Sequence, residues 1–283
     1  MQDTNKSLVV ASDNEMIPFD QAPSYLPTST KNTGMENMDK EDFKTPRIIL
    51  LQALNPEIKT FQGVAFPGNF WHTGMNVNLG ESFDFVPALA SKRVILWRPR
   101  SDNEGGILAF SKDGKTWATG GNQEFRVRLK NVKEPVVWNT GKDVISSRLA
   151  EFGTSNPEDP QSAPAATVVY EYLCYLINRP ELSPCVLGVS KTGLPNGKSF
   201  NTSLGMIART GKPISCVGVR CFAEVKSNSD GEWTVPNFKT LGFVPKAVYE
   251  QAKAMADQYG EYNVEYSQDE VETKDVIDDN INY

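Results

Sequence analysis

The segment closest to a nucleotide-binding motif covers residues 193–199 and reads Gly-Leu-Pro-Asn-Gly-Lys-Ser. A phosphate-binding loop of the Walker A type needs four residues between its glycines, and this segment has three. Pro195 also lacks the backbone N–H that such a loop would offer to a phosphate. We therefore expect a Pro-Asn-Gly turn with a solvated Lys198 instead of a nucleotide site.

A second candidate for catalysis is Glu224-Val225-Lys226, at the end of a predicted strand. Metal-dependent nucleases of the restriction-enzyme type place such an E-x-K pair on a strand, with an upstream aspartate that shares the metal. The sequence has no aspartate between Asp159 and Asp230, so a two-carboxylate site is not completed locally. A nuclease or nucleotide hydrolase remains an alternative that rests on these two motifs alone.

The single histidine, His72, lies in a Phe-Trp-His-Thr-Gly stretch that is typical of a hairpin tip. A Ser-His-Asp triad or a multi-histidine metal site would have to use this residue, which we expect to be a surface turn residue. The four cysteines lack the C-x-x-C spacing of zinc ribbons and are expected to be free thiols. The sequence therefore predicts no catalytic residue, no metal, no cofactor and no enzymatic activity.

Cations and aromatic rings recur on three predicted strands. Residues 92–100 place four cations around a tryptophan, residues 124–130 alternate so that three cations share one face, and residues 168–175 put two tyrosines on one face. Single-stranded nucleic acid is bound by such surfaces, because bases stack on rings, at about 1–3 kcal/mol per base, while cations contact phosphates. The predicted DNA-binding residues are Lys92, Arg93, Trp97, Arg98, Arg100, Arg126, Arg128, Lys130, Tyr170 and Tyr172. The alternative is that the rings fill the core and the charged faces are merely solvated.

Charge is unevenly distributed along the chain. Residues 1–45 carry eight acidic and four basic residues, and residues 261–283 carry eight acidic residues and one lysine. Because the whole chain has a net charge of −6, the body between these ends carries about +5, which is typical of a protein with an anionic partner. We predict a disordered N-terminal arm over residues 1–45, a β-rich nucleic-acid-binding domain over 46–260 and a disordered acidic tail over 261–283.

The elements that must position these residues are mostly strands. Strands are predicted at residues 82–97, 167–178, 184–190 and 214–226, and a hairpin is predicted around Lys112-Asp113-Gly114. Helices are predicted over residues 199–209 and 245–259. The expected fold is mainly β, a partly open, OB-like antiparallel barrel with additional strands and two helices.

This organisation resembles the single-stranded DNA-binding proteins of tailed phages, which combine a β-rich basic body with a flexible acidic tail that ends on an aromatic residue. In this sequence Tyr283 stands where that family usually has a phenylalanine. The resemblance implies an OB-like barrel that coats single-stranded DNA during replication and recombination in the host cytoplasm. It also implies that the tail modulates DNA binding and contacts a polymerase, helicase or recombinase through Asp275, Asp278, Asp279 and Tyr283.

A structural or host-interaction scaffold is the main alternative function. Such a protein would use the same β-rich body without binding nucleic acid, and the tail would serve only solubility. Salt dependence separates the two hypotheses, because binding through phosphates weakens steeply as salt rises. The sequence contains no apolar run long enough for a membrane span, and we expect no membrane partner.

Overall fold

A curled, open sheet dominates the computed structural model, which describes residues 23–26, 34–35, 37–38, 42–97, 107–117, 124–127, 134, 136–139, 143–155, 159–229 and 231–259. The strands are β1 (Arg47–Leu50), β2 (Phe70–His72), β3 (Val77–Gly80), β4 (Ser82–Trp97), β5 (Ile107–Ser111), β6 (Glu124–Val127), β7 (Val136–Asn139), β8 (Ala166–Leu176), β9 (Cys185–Ser190), β10 (Val217–Asn228) and β11 (Gly231–Phe243). The helices are α1 (Pro56–Thr60), α2 (Val144–Ser147), α3 (Leu194–Arg209) and α4 (Lys246–Tyr259).

The order of strands in the main sheet is β11-β10-β4-β8-β9-β1-β2-β3, and β5 pairs with β4. Strands β4, β8 and β9 are successive antiparallel neighbours, and the chain then passes through α3 and returns as β10 beside β4. This is the spatial order of a Greek key. With β11 as the hairpin partner of β10, five strands have the order of a partly open, OB-like half-barrel, and the sheet continues from β9 into β1.

The prediction of a mainly β, partly open barrel with additional strands and two substantial helices is confirmed. The sheet is mixed, however, because β1 pairs parallel with β9 while the other pairs are antiparallel in the described part of the chain. Strands β6 and β7 form a separate two-stranded sheet.

On the open side of the curled sheet, side-chain amides form hydrogen bonds with the backbone of β11. Gln52 Nε2 donates to the carbonyl oxygen of Thr234 at 3.0 Å, and the Thr234 N–H donates to Gln52 Oε1 at 3.3 Å. Asn196 Nδ2 donates to the carbonyl oxygen of Pro236 at 3.1 Å. These amides occupy backbone groups that a neighbouring strand would otherwise pair.

Helix α3 covers one face of the sheet, which we call the inner face. Phe200 of α3 is buried against Phe85, Tyr172 and Phe238. The expected free thiols lie in the described core or at its edge, with three of the four fully buried. Burial raises the pKa of the Cys174 and Cys221 thiols, so they remain protonated, as expected for core residues.

Helix α4 covers part of the opposite, outer face. Its apolar positions, spaced at helical intervals, pack on Val86, Leu173 and Val186. The Tyr175 hydroxyl donates to Gln251 Oε1, which fixes the helix on β8. The apolar side chains of α4 in this layer are Val248, Ala252, Met255, Ala256 and Tyr259.

Two local predictions were wrong. Helix α3 begins at Leu194, so the predicted Pro-Asn-Gly turn is its first turn, where Pro195 is tolerated because its missing N–H has no intrahelical partner. The predicted hairpin around Asp113 does not form, because β5 pairs with β4 and residues 115–117 are not a strand. Asp113 instead holds a tight turn by accepting from the backbone N–H groups of Lys115 and Thr116.

His72 is not the surface residue that its position in the sequence suggests. Its side chain is 1% exposed, because β2 lies between β1 and β3 and its imidazole points toward the connection between β8 and β9. His72 is therefore a core residue, although it lies beside a hairpin turn.

The chain divides into two units, residues 1–43 and residues 44–283. The predicted disorder of the arm and of the acidic tail stays a prediction, since the tail and most of the arm lie outside the described residues. Among the residues that the structure describes, no helix is long and apolar enough to cross a membrane.

Candidate nucleic-acid interface

Lys92 and Tyr170, both predicted DNA-binding residues, are direct cross-strand partners on β4 and β8. Their side chains point to the same face as the pairs two residues away on either side, Ala90 with Tyr172 and Val94 with Val168, and this is the inner face because Tyr172 packs against α3. Tyr172 belongs to the core under α3, whereas Val94 belongs to a second core closed by residues 143–150. The Lys92–Tyr170 pair therefore occupies the strip of sheet between two packed layers.

The first turn of α3 forms one wall of this strip. A Cβ atom at residue 197 would lie 2.9 Å from Tyr170 Cδ2 and 3.2 Å from Val189 Cγ1, so only glycine fits against the ring. Tyr170 is held half-buried, and the next helical residue, Lys198, is exposed. The segment that resembles a phosphate-binding loop thus contributes a backbone wall and a cation.

The turn after β5 forms the other wall. Gly114 has a φ of 68°, and a Cβ at this position would lie 2.8 Å from Lys92 Cδ. The turn also presents the exposed lysines Lys112 and Lys115. We call the set Lys92, Lys112, Lys115, Tyr170 and Lys198 the Tyr170 strip.

Asp113 is the acidic residue in this turn, and its carboxylate is engaged locally. Besides the two backbone N–H groups, it accepts from the hydroxyls of Ser111 and Thr116, at 3.0 and 2.8 Å. The Thr116 N–H is the largest cause that lowers the pKa of Asp113 well below its usual range. The carboxylate is therefore ionised but directed into the turn, away from an incoming anion.

Two predicted binding residues are buried, so we leave them out of the interface. Tyr172 is fully buried and donates to Asn201 Oδ1 at 2.8 Å. Arg93 is buried on the outer face, where its Nε lies 2.5 Å from Glu171 Oε2. Burial raises the pKa of Glu171, while Arg93 and then Arg47 act to lower it. The alternation of side chains along a strand predicted the direction of both residues. It could not show that other parts of the chain cover the faces on which they lie.

The remaining predicted residues are only partly accounted for. Trp97 is half-buried in the layer of the outer face and is not in the strip. Arg126 lies on β6 opposite Val137, and its side chain lies outside what the structure describes. The predicted residues that lie outside the described residues altogether are Arg98, Arg100, Arg128, Lys130, Asp275, Asp278, Asp279 and Tyr283.

Sequence reasoning missed three lysines of the strip. Lys112 and Lys115 were noted only as part of a predicted hairpin, and Lys198, in the failed nucleotide motif, was interpreted as a solvated turn residue. The sequence shows that these residues are polar, but only the tertiary fold brings two separate turns beside Lys92 and Tyr170.

The two motifs considered for catalysis meet in space at Glu224. Its Oε2 accepts from Asn196 Nδ2 at 3.0 Å and from Asn237 Nδ2 at 2.9 Å, and Lys226 Nζ lies 2.7 Å from its Oε1. Lys226 is the largest cause that lowers the pKa of Glu224. Through these hydrogen bonds, the Glu224 carboxylate on β10 links the first turn of α3 to β11. Within the described part of the chain, no group of three or more His, Cys, Asp or Glu residues could hold a metal ion.

Two glycines of α3 offer a matched test of the wall against Tyr170. We expect Gly197→Ala to destabilise the protein by about 1–3 kcal/mol, because its Cβ overlaps the Tyr170 ring. Gly205→Ala has open space and should stabilise by about 0.5–1 kcal/mol through helix propensity. Urea unfolding of both variants measures the difference, and equal effects would show that α3 does not press on Tyr170.

A family model described as Pam3 phage gp34-like protein matches residues 13–265, a span that includes the whole of the sheet and both long helices. No curated protein and no solved structure matches the chain.

Proposed function

This chain belongs to the Pam3 phage gp34-like family, and we propose that it is a bacteriophage protein that binds and protects single-stranded DNA during replication and recombination. The observation that carries the proposal is the Tyr170 strip on a Greek-key barrel. OB-type barrels bind oligonucleotides, and the chemistry of this strip is what a single strand requires.

The strip combines a half-buried ring with four exposed lysines. A base can stack on Tyr170 because the ring is fixed by Gly197 behind it, so little side-chain freedom is lost on binding. Lys92 lies directly beside the ring, with Lys198 on one wall and Lys112 and Lys115 on the other. Phosphates on either side of a stacked base would therefore meet a cation.

The acidic tail is proposed to modulate this binding and to recruit a polymerase, helicase or recombinase. Residues 261–283 follow α4 directly after Gly260 and carry a net charge of −7. Because the tail is covalently linked to the basic body, its effective concentration at the lysines is high without any separate association step. It would compete with phosphates at low salt, so its removal should strengthen DNA binding.

The proposal is tested by fluorescence anisotropy of labelled oligo-dT with the full chain and with residues 1–260. We expect binding that weakens steeply with salt and becomes tighter without the tail. In Lys92→Ala/Lys198→Ala, loss of two phosphate contacts should lower the slope of log affinity against log salt by about 1.4. The matched control is Lys246→Ala/Lys253→Ala, which removes the same charge from the exposed side of α4 and should leave the slope nearly unchanged.

Absence of binding by both chain lengths at low salt would overturn the proposal. The structural or host-interaction scaffold would then be the better function, with the barrel as a rigid support. Equal slopes for the two double variants would keep DNA binding but remove it from the Tyr170 strip.

A further inference from the structure

The imidazole of His72 links two distant parts of the chain. The Met75 N–H donates to His72 Nδ1 at 3.1 Å, within the turn between β2 and β3. On the other side of the ring, Nε2 lies 3.1 Å from the carbonyl oxygen of Leu182, in the connection between β8 and β9. The turn and the connection are therefore fastened to each other through one ring.

These two contacts require the neutral form of the ring. Because Nδ1 accepts a hydrogen bond, it carries no proton, so Nε2 carries the proton and donates to Leu182. Protonation would place an N–H at Nδ1 opposite the N–H of Met75, and two donors cannot form a hydrogen bond. The buried charge would also be poorly solvated, since the side chain is almost completely enclosed.

The charged groups around His72 do not favour the protonated ring. Arg179 lies in this connection and acts on His72 as a like charge, and its guanidinium is ion-paired with Glu181 at 2.5 Å. On β1, the direct partner of His72 is Ile48, and the neighbouring Arg47 points to the other face of the strand. The apolar Val77 is its partner on β3. Burial is the largest effect on the pKa of His72 and lowers it below 6.5. The backbone hydrogen bonds of the ring come next and raise this pKa, but they do not outweigh burial.

We propose that His72 acts as a pH-sensitive link: its neutral ring holds the β2–β3 turn to the connection before β9, and protonation of the ring releases the turn. The proposal is independent of DNA binding. A group whose folded-state pKa is lowered stabilises the fold above its unfolded pKa, and this stability is lost as the pH falls. The window therefore opens at about pH 6.5, the unfolded pKa of histidine, and extends downward to the lower folded-state pKa.

The experiment uses the full chain, in which His72 is the only histidine and gives a single imidazole Hε1 resonance. The NMR titration of this resonance should have its midpoint below 6.5. In urea unfolding, the unfolding equilibrium constant should rise as the pH falls below 6.5, by at most about tenfold per pH unit, because unfolding is accompanied by the uptake of one proton. The His72→Gln variant keeps a neutral amide and should lose this dependence.

A midpoint at or above 6.5 in the folded chain would overturn the proposal. So would a His72→Gln variant that retains the pH dependence of the unsubstituted protein below pH 6.5, because another group would then be responsible. If this variant does not fold, the titration of the unsubstituted protein still decides, since it needs no substitution.

Discussion

Replacement of Phe200 by alanine is expected to reduce the free energy of unfolding by about 3–5 kcal/mol. Phe200 is 3% exposed and stacks on Phe238 with ring centroids 4.3 Å apart and planes 9° from parallel. Its ring also lies 5.0 Å from Tyr172. Truncation leaves a cavity between α3 and the sheet, which a close-packed aromatic cluster cannot refill.

Urea denaturation at neutral pH measures this loss as a lower midpoint with an unchanged slope. Met206→Ala is the matched control on the same helix, because Met206 is 64% exposed and its truncation should change stability by no more than about 0.5 kcal/mol. On the proposed function, the Phe200→Ala variant should also bind DNA more weakly, since α3 forms a wall of the Tyr170 strip. A loss below about 1 kcal/mol would contradict the packing of α3 described above.

Arg93→Leu should cost about 3 kcal/mol at neutral pH, because it leaves the buried Glu171 carboxylate without its closest cation. The value lies at the low end of the range for broken buried ion pairs, since Arg47 still acts on Glu171. The double variant Arg93→Leu/Glu171→Leu should recover most of the loss, because removal of both charges also removes their desolvation penalty.

The pH dependence gives this prediction a second measurement. A carboxyl whose folded-state pKa is raised stabilises the fold below its unfolded pKa, and that stability is lost as the pH rises through the folded-state value. Without Arg93 the pKa of Glu171 should rise further, so the deficit relative to the unsubstituted protein should grow from pH 5 to pH 7.5. A constant deficit over this range, or no recovery in the double variant, would show that Glu171 is not the source of the loss.

Most of the strands could be predicted because alternation and β-branched content are local properties. The long strand at residues 82–97 was predicted at the residues where it is found, and β8, β9 and α4 were predicted within a few residues. The start of α3 could not be predicted in this way. Its first turn contains Pro195 and Gly197, which favour turns on their own, and becomes helical because Gly197 packs on Tyr170 and Asn196 bonds to β11 and Glu224.

The candidate site was less accessible to sequence reasoning than the fold. Both Lys92 and Arg93 were predicted to bind DNA, but only the positions of the helices and the ion pair with Glu171 decide that Lys92 is exposed and Arg93 is buried. The same limitation applies to His72, whose neighbours in sequence are those of a hairpin and whose neighbours in space are those of a core.

The side-chain amides bonded to the edge of β11 limit how copies of the protein can pair with each other. On the proposed function, many copies would lie side by side on one DNA strand, and an open sheet edge would allow those copies to pair into a continuous aggregate. Gln52 and Asn196 already occupy the backbone groups of Thr234 and Pro236, and Pro236 has no N–H to give. Along residues 234–236, neighbouring copies can therefore contact each other only through side chains and not through β-strand pairing. Such contacts dissociate more readily than a shared sheet.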